Sequence, residues 1–211
     1  MVPGTVGGVR AGVYSMWCDS AGNCVAGGVY SDRQGPQQAF VANERNARWA
    51  AAVDVLRTSG LNAPQAWVTS VSCASAGNCA AGGSYEDGHG HSLVFVASER
   101  NGQWGTAIEI PGTPARSWVN SVSCGSAGNC AADGGYIGSS GRIRPFVASG
   151  QNGRWAATEV PGMASLLSSI PGHEGNAEVS AMSCLSTGYC LAGGYYDDYF
   201  GQRQAFVVSR R

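Results

Sequence analysis

Four stretches of the chain repeat one ordering of apolar and polar positions. In residues 64–111 it reads "WVTSVSC", "CAAGGSY", "LVFVASE" and "QWGTAIEI". The first and last alternate in part. All four are rich in Val, Ile, Ser, Thr or aromatic residues, the composition of strands. Turn-forming residues separate them in "ASAGN", "EDGHGH" and "RNG". Related quartets occupy residues 5–56, 115–162 and 176–211. The best rival for a helix is "RNARWAAAVDVLRTSG", but its counterparts "RNGQWGTAIEIPG" and "QNGRWAATEVPG" read as strands. The pattern predicts an all-β chain with no substantial amphipathic helix.

Aromatic landmarks fix the register of the repeat. Tyr30, Tyr85, Tyr136 and Tyr196 each follow a cysteine by six residues, and Phe40, Phe95, Phe146 and Phe206 follow those tyrosines by ten. Trp49, Trp104 and Trp155 follow the first three phenylalanines by nine. Successive units are 55, 51 and 60 residues long, counted from Cys18 to Cys73, Cys124 and Cys184. Periods of ~40–50 residues are typical of propeller blades, and four antiparallel strands make one blade. The expectation is one domain over residues 1–211, a four-bladed β-propeller. A β-trefoil would show three repeats, and strand-bearing solenoids have shorter ones of ~20–30 residues.

Each unit carries one nine-residue stretch, written "VSCASAGNC" at Val71–Cys79. Its cysteines bracket a five-residue turn between the first and second strands. Cysteines facing across a hairpin meet the short Cβ separation of a disulfide. The predicted bridges are Cys18–Cys24, Cys73–Cys79, Cys124–Cys130 and Cys184–Cys190. The rival reading is two zinc ions, but zinc sites favour C-x2–4-C over C-x5-C. Persistent disulfides belong to oxidising compartments, so an extracellular location is expected.

Composition narrows the partners. Hydrophobic residues are 44% of the 211, enough for a sizeable core. Charged residues are only 13%, about half the usual ~25%. The net charge is −1 with no basic or acidic block, so neither nucleic acid nor an anionic membrane is an expected partner. No apolar run reaches the ~18 residues of a membrane span. Residues 1–17 lack the ~7–15-residue apolar core of a signal peptide, so a secreted form is expected to have lost its leader. All basic residues are Arg, which with abundant Ala and Gly suggests a GC-rich genome.

The "SVSCxSAGNCAAGGxY" core, "FVASE" and "NGxW…E(V/I)PG" together resemble a tandem repeat of secreted actinobacterial proteins. The resemblance covers almost the whole chain. It implies propeller-like repeats and an extracellular location, and no single activity.

The ends of the repeat do not match. The last unit stops at "AFVVSRR", with no Trp after Phe206. The chain opens with "MVPG", and "VPG" is how the fourth strand ends in Thr158–Gly162. Propellers often close by joining strands from both termini in one blade. Closure within one chain is expected, with residues 5–14 supplying the missing edge. The alternatives are a fragment of a longer array and a strand supplied by another copy, since an unpaired edge invites pairing. The chain is then a monomer or a strand-exchanged homo-oligomer.

In an up-and-down blade, alternate loops lie on alternate faces. The disulfide turns and short "NG" turns share one face. The loops "SDRQGPQ", "EDGHGHS", "IGSSGRIR" and "DDYFGQRQ" share the other with the linkers, and they vary. Variable polar loops on a fixed scaffold are where binding concentrates. Asp32, Asp87 and Asp197 beside Tyr30, Tyr85, Tyr136 and Tyr196 suit a sugar: carboxylates take its hydroxyls while rings stack on its apolar face. The plainer alternative is that the tyrosines pack and the aspartates make turns. The third unit departs, with Gly138 in place of Asp87. Trp67 and Trp118 precede their first cysteine by six residues, at a binding rim or in the core. Glu178 holds that place in the fourth unit, and Trp17 is offset. Trp49, Trp104 and Trp155 are assigned to packing between sheets.

His89 and His91 flank Gly90, an arrangement more often solvated than metal-bound. Asp197–Asp198 lack the spaced oxygen ligands of a dedicated calcium loop. No cofactor is expected, with calcium the one alternative. No nucleophile elbow, zinc-protease motif or phosphate loop is present, and His173 sits in a long linker. A carboxylate pair such as Glu178 with an aspartate is the one conceivable route to glycoside hydrolysis. The leading reading is a secreted, lectin-like carbohydrate-binding module with a glycan or extracellular protein as partner. The alternatives are a protein-interaction or cell-wall scaffold, and a hydrolase or lyase with one carboxylate site at the channel mouth.

Overall fold

Four antiparallel sheets form where the four repeats predict them. The computed structural model describes residues 2–3, 8–32, 35–56, 59, 61, 63–168, 175–186 and 188–210. Sheet I contains β1 (Gly8–Ser20), β2 (Asn23–Asp32), β3 (Gln38–Arg45), β4 (Arg48–Trp49) and β5 (Val53–Asp54). Sheet II contains β6 (Gln65–Ser75), β7 (Asn78–Glu86), β8 (Ser92–Arg100), β9 (Gln103–Trp104) and β10 (Ile108–Glu109). Sheet III contains β11 (Ser117–Ser126), β12 (Asn129–Ile137), β13 (Ile143–Gln151) and β14 (Arg154–Glu159). Sheet IV has three strands, β15 (Ala177–Cys184), β16 (Cys190–Asp197) and β17 (Arg203–Arg210). In sheets I and II the fourth strand is split at Ala50–Ala52 and Gly105–Ala107, whereas in sheet III it runs unbroken.

The cysteines of each hairpin stand directly opposite in the ladder, and all four predicted disulfides are formed, with Cα separations of 3.9–4.1 Å. In sheets I to III the disulfide turn touches the outer turn of its own sheet. The N–H groups of Ala47, Gly102 and Asn152 donate to the carbonyls of Gly22, Gly77 and Gly128. These turns therefore share one face, the hairpin face, and the loops between second and third strands lie on the other, the loop face.

The hydrophobic cores lie between consecutive sheets. Val25 and Val41 of sheet I meet Val68, Val71 and Phe95 of sheet II. Val94 and Val96 meet Val119, Val122 and Phe146. Val147 meets Ala177, Val179 and Ala192. Burial of a branched or aromatic side chain contributes about 1.5–3 kcal/mol, so these seams hold the sheets in order. Serine hydroxyls reinforce them: Ser15, Ser70, Ser72 and Ser123 accept from the N–H groups of Val71, Val122, Cys124 and Cys184 in the following sheet.

The innermost strands pack in the order β1, β6, β11, β15. Among the described residues no sheet joins sheet IV back to sheet I. Residues 8–14, expected at an outer edge, belong to β1, because they continue its ladder opposite Gly28–Asp32; residues 5–7 lie outside the described residues. One short helix, α1 (Met163–Ser168), occupies the linker before sheet IV. Met163 and Leu167, on one helical face, bury themselves against the third core. Six residues are too few for a periodicity to announce it.

Candidate functional site

Each innermost strand starts on the loop face, and the residue six before its first cysteine is Gly12, Trp67, Trp118 or Glu178. Trp118 and Glu178 are brought together. The Trp118 indole N–H donates to Glu178 Oε1 at 2.8 Å. Asn120 Nδ2 donates to the same oxygen at 2.8 Å and to the Val179 carbonyl at 2.6 Å. The Tyr195 hydroxyl donates to Glu178 Oε2 at 3.1 Å. Trp118, Asn120 and Glu178 are half-buried, so the group is fixed in place and remains open to solvent. The Arg203 guanidinium lies 3.6 Å from the Tyr195 ring centroid and 3.8 Å from Asp197 Oδ1. Burial first, and then the bond to Glu178, raises the Tyr195 phenol above its ordinary range. It therefore acts as a hydrogen-bond donor at neutral pH.

Local structure explains how these residues meet. A bulge follows Val13, Val68, Val119 and Val179 in every innermost strand. It places Thr69 and Asn120 at equivalent points, and each reaches the next sheet: Thr69 Oγ1 donates to the Val119 carbonyl, as Asn120 does to that of Val179. Gly135 stands opposite Trp118 in the ladder and leaves room for its ring, since a Cβ there would lie 2.6 Å from Trp118 Cζ2.

Behind this group lies Asp133, fully buried, with neither carboxylate oxygen hydrogen-bonded. It occupies the place of Gly27 and Gly82 in the first two repeats. At those glycines a Cβ would come within 2.5–2.6 Å of a valine of the next sheet. Burial first, and the nearby Glu178 charge second, push the Asp133 carboxyl up to about 7. A carboxyl raised this way by burial and a like charge occurs at functional sites and also in structural charge networks. A second buried acid, Glu99, joins sheets I and II: Asn43 donates to it, and Trp104 Nε1 donates to Asn43 Oδ1 at 2.9 Å. Burial raises Glu99 as well.

The residues expected from the repeat are spread around the loop face. Tyr85 is buried, its hydroxyl on Glu109 Oε2 at 2.9 Å and its ring 6.5 Å from that of Phe95. Tyr30 is half-buried with its ring edge toward Phe40. Tyr136 and Tyr196 are half-buried. Trp67 is half-buried near the loop-face start of β6. Asp87 Oδ1 accepts the N–H groups of His89 and His91, and Oδ2 lies 3.0 Å from His91 Nδ1. The backbone bond from His91 is the chief cause that holds Asp87 down at about 2. Asp198, not Asp197, is its counterpart, with Oδ1 accepting from Phe200 and Gln202. Asp197 instead takes the N–H and side-chain amide of Asn176. Asp32 ends β2, but its side chain, like His173, lies outside the described residues. Asn120, Asp133, Tyr195 and Arg203 were not singled out by the sequence. Asp133 was visible as a break in a glycine column, while Tyr195 was hidden by its neighbour Tyr196.

On the hairpin face, sheets III and IV part to leave a cleft of about 390 Å³ lined by Val147, Met182, Leu185, Val208, Ser149 and Gln151. No group of three or more His, Cys, Asp or Glu side chains placed to hold a metal occurs among the described residues. No helix among them is long and apolar enough to cross a membrane.

No protein-family model matches the chain, and no curated protein matches it. Among solved structures, the fold is similar to that of a Hadza microbial sialidase, Hz136, with a TM-score of 0.54 at 11% identity over 94% of this chain. That match covers 43% of the sialidase, so the chain spans less than half its length. A glycoside hydrolase is similar over 95% of this chain and 70% of its own, with a TM-score of 0.45 and 11% identity. At such identity the likeness to the sialidase is one of fold.

Proposed function

We propose that this chain is an extracellular carbohydrate-binding module whose sheets are consecutive blades of a β-propeller. It takes sugars on the loop face, where the innermost strands begin. The Trp118–Glu178 pair carries this reading. A half-exposed indole is tied to a carboxylate that Asn120 and Tyr195 also hold. Sugars are bound by such combinations, the ring taking the apolar face and the carboxylate and amide the hydroxyls. Trp67 extends the same row. Tyr30, Tyr85, Asp87, Tyr136, Tyr196 and Asp197 shape the loops around it. Four disulfides support an oxidising location. The likeness to the sialidase supports the propeller form alone.

The test is a glycan array probed with non-reduced protein, with and without calcium, after mass analysis has confirmed that all eight cysteines are paired. Binding to one sugar class is expected, and Trp118→Ala should weaken it at least tenfold, about 1.4 kcal/mol. A blank array with folded protein overturns the reading. One observation favours a protein partner instead. The last loop presents Phe200, 81% exposed, with the Tyr199 ring 5.4 Å away. That reading predicts capture of an extracellular protein, lost in Phe200→Ser.

A further inference from the structure

The seams between sheets I and II and between sheets II and III are built to one plan, and each end of the row presents one half of it. On the receiving side stands a second-strand glycine, Gly27 or Gly82, where a Cβ would strike the next sheet. On the seating side stand Val68 and Val71, or Val119 and Val122, all at most 5% exposed. Sheet I carries Val13 and Met16 at the seating positions, and they are 46% and 60% exposed. Sheet IV carries Gly193 at the receiving position, where, among the described residues, only its own sheet lies within 4 Å of a Cβ. Beside it, Leu191 and Val207 are 43% and 73% exposed, whereas their counterparts in sheet II, Ala80 and Val96, are 0% and 1%.

The N-terminal residues fit the same plan. Ala52 N–H donates to the Pro3 carbonyl at 2.7 Å, as Ala157 N–H donates to the Pro111 carbonyl at 2.9 Å. Pro111 follows the fourth strand of sheet II and abuts sheet III. Pro3 therefore lies against sheet I where the end of a preceding sheet's fourth strand belongs. Sheet IV is the sheet with no fourth strand among the described residues.

We propose that these halves meet between two copies of this chain, head to tail. The Val13–Met16 side of one copy seats on the Gly193, Leu191 and Val207 side of the other. The contact repeats at the opposite end, so two four-sheet rows complete one eight-sheet ring with two identical seams. Eight blades lie within the usual propeller range. The inference stands apart from the sugar-binding reading, because it uses none of the Trp118 group.

Sedimentation velocity on the 211-residue chain tests it. Twice the 21.6 kDa chain, about 43 kDa, is expected. Met16→Arg and Val207→Arg each place a charge in the seam and should weaken association about a hundredfold or more. Both sites are exposed within one chain, so folding is retained; far-UV circular dichroism and paired cysteines by mass control for that. Mixing the two variants leaves one seam free of both substitutions, and a dimer should reappear. A wild-type mass of 21.6 kDa, a variant that stays dimeric, or a mixture that stays monomeric overturns the proposal.

Discussion

Trp118 and Glu178 hold the same position in consecutive repeats, and the indole of one donates to the carboxylate of the other at 2.8 Å. The bond crosses the seam between sheets III and IV beside the bond from Asn120. Hydrogen bonds to a charged group contribute about 1.5–3 kcal/mol when shielded and less when half-exposed. A double-mutant cycle with Trp118→Phe and Glu178→Ala should give a coupling energy of about 1 kcal/mol by urea denaturation. Additive losses would mean that the bond does not join the sheets in solution.

Asp133 makes stability depend on pH in an unusual direction. Its carboxyl titrates near 7 in the folded chain against an ordinary 3.8, through burial first and the Glu178 charge second. Between those values the folded chain holds a proton that the unfolded chain has released. The stabilisation is complete below about 4, falls as pH rises to about 7, and then levels off. About three pH units correspond to about 4 kcal/mol. Asp133→Asn should therefore gain stability over the wild type as pH rises from 4 to 8, measured as unfolding midpoints across that range. Glu99 is raised by burial too, with the same sign, but it is present in both proteins, so the difference isolates Asp133. Parallel profiles would refute the assignment.

Much of this was legible in the chain because the repeat is written four times. Spacings from cysteine to Tyr and Phe set four sheets in register, and the C-x5-C hairpins set the disulfides. The site was harder to read. Asp87 and Asp198 recur because they hold a turn, which a sequence repeat cannot separate from a ligand set. Glu178 mattered through Asn120 and Tyr195, which come from sheets III and IV and meet only after folding. Asp133 signals itself by breaking a column of glycines, but its burial comes from a seam that no local pattern describes. The helix Met163–Ser168 was missed because one turn and a half cannot establish a period.

Gly138 is the one repeat position of this turn that lacks its aspartate. Its backbone already makes the turn: Gly138 N–H donates to the Arg142 carbonyl, as Asp87 N–H does to that of His91. A carboxylate at 138 would accept the N–H groups of Ser140 and Arg142, in the pattern of Asp87 and Asp198. Gly138→Asp should raise Tm by about 2 °C at neutral pH. The sign with pH follows Asp87, whose carboxyl is held at about 2 chiefly by the His91 N–H. The gain is present above the ordinary 3.8 and is lost as pH falls toward 2. A Tm unchanged at pH 7 would show that the turn does not order the new carboxylate.

Gly83 tests the inner bulge. A Cβ there would lie 2.0 Å from the Trp67 carbonyl oxygen and 2.9 Å from Phe95 Cζ. Gly28, Gly134 and Gly194 face the carbonyls of Gly12, Trp118 and Glu178 at 1.9 Å in the same way. The obstacle is backbone, so no side-chain rotation relieves it, and β6 must move away from β7. Overpacking of a side-chain core costs about 1–3 kcal/mol. With backbone in the way, Gly83→Ala should cost about 3 kcal/mol or more, read as a lower urea midpoint with an unchanged slope. Gly105→Ala is the control: it is exposed, in the break of the fourth strand, with its nearest contact, the Ser98 carbonyl, at 3.4 Å. Its unfolding free energy should stay within about 0.5 kcal/mol of the wild type. Equal effects at the two glycines would mean that loss of chain freedom, not the close approach of β6 and β7, explains the glycine column.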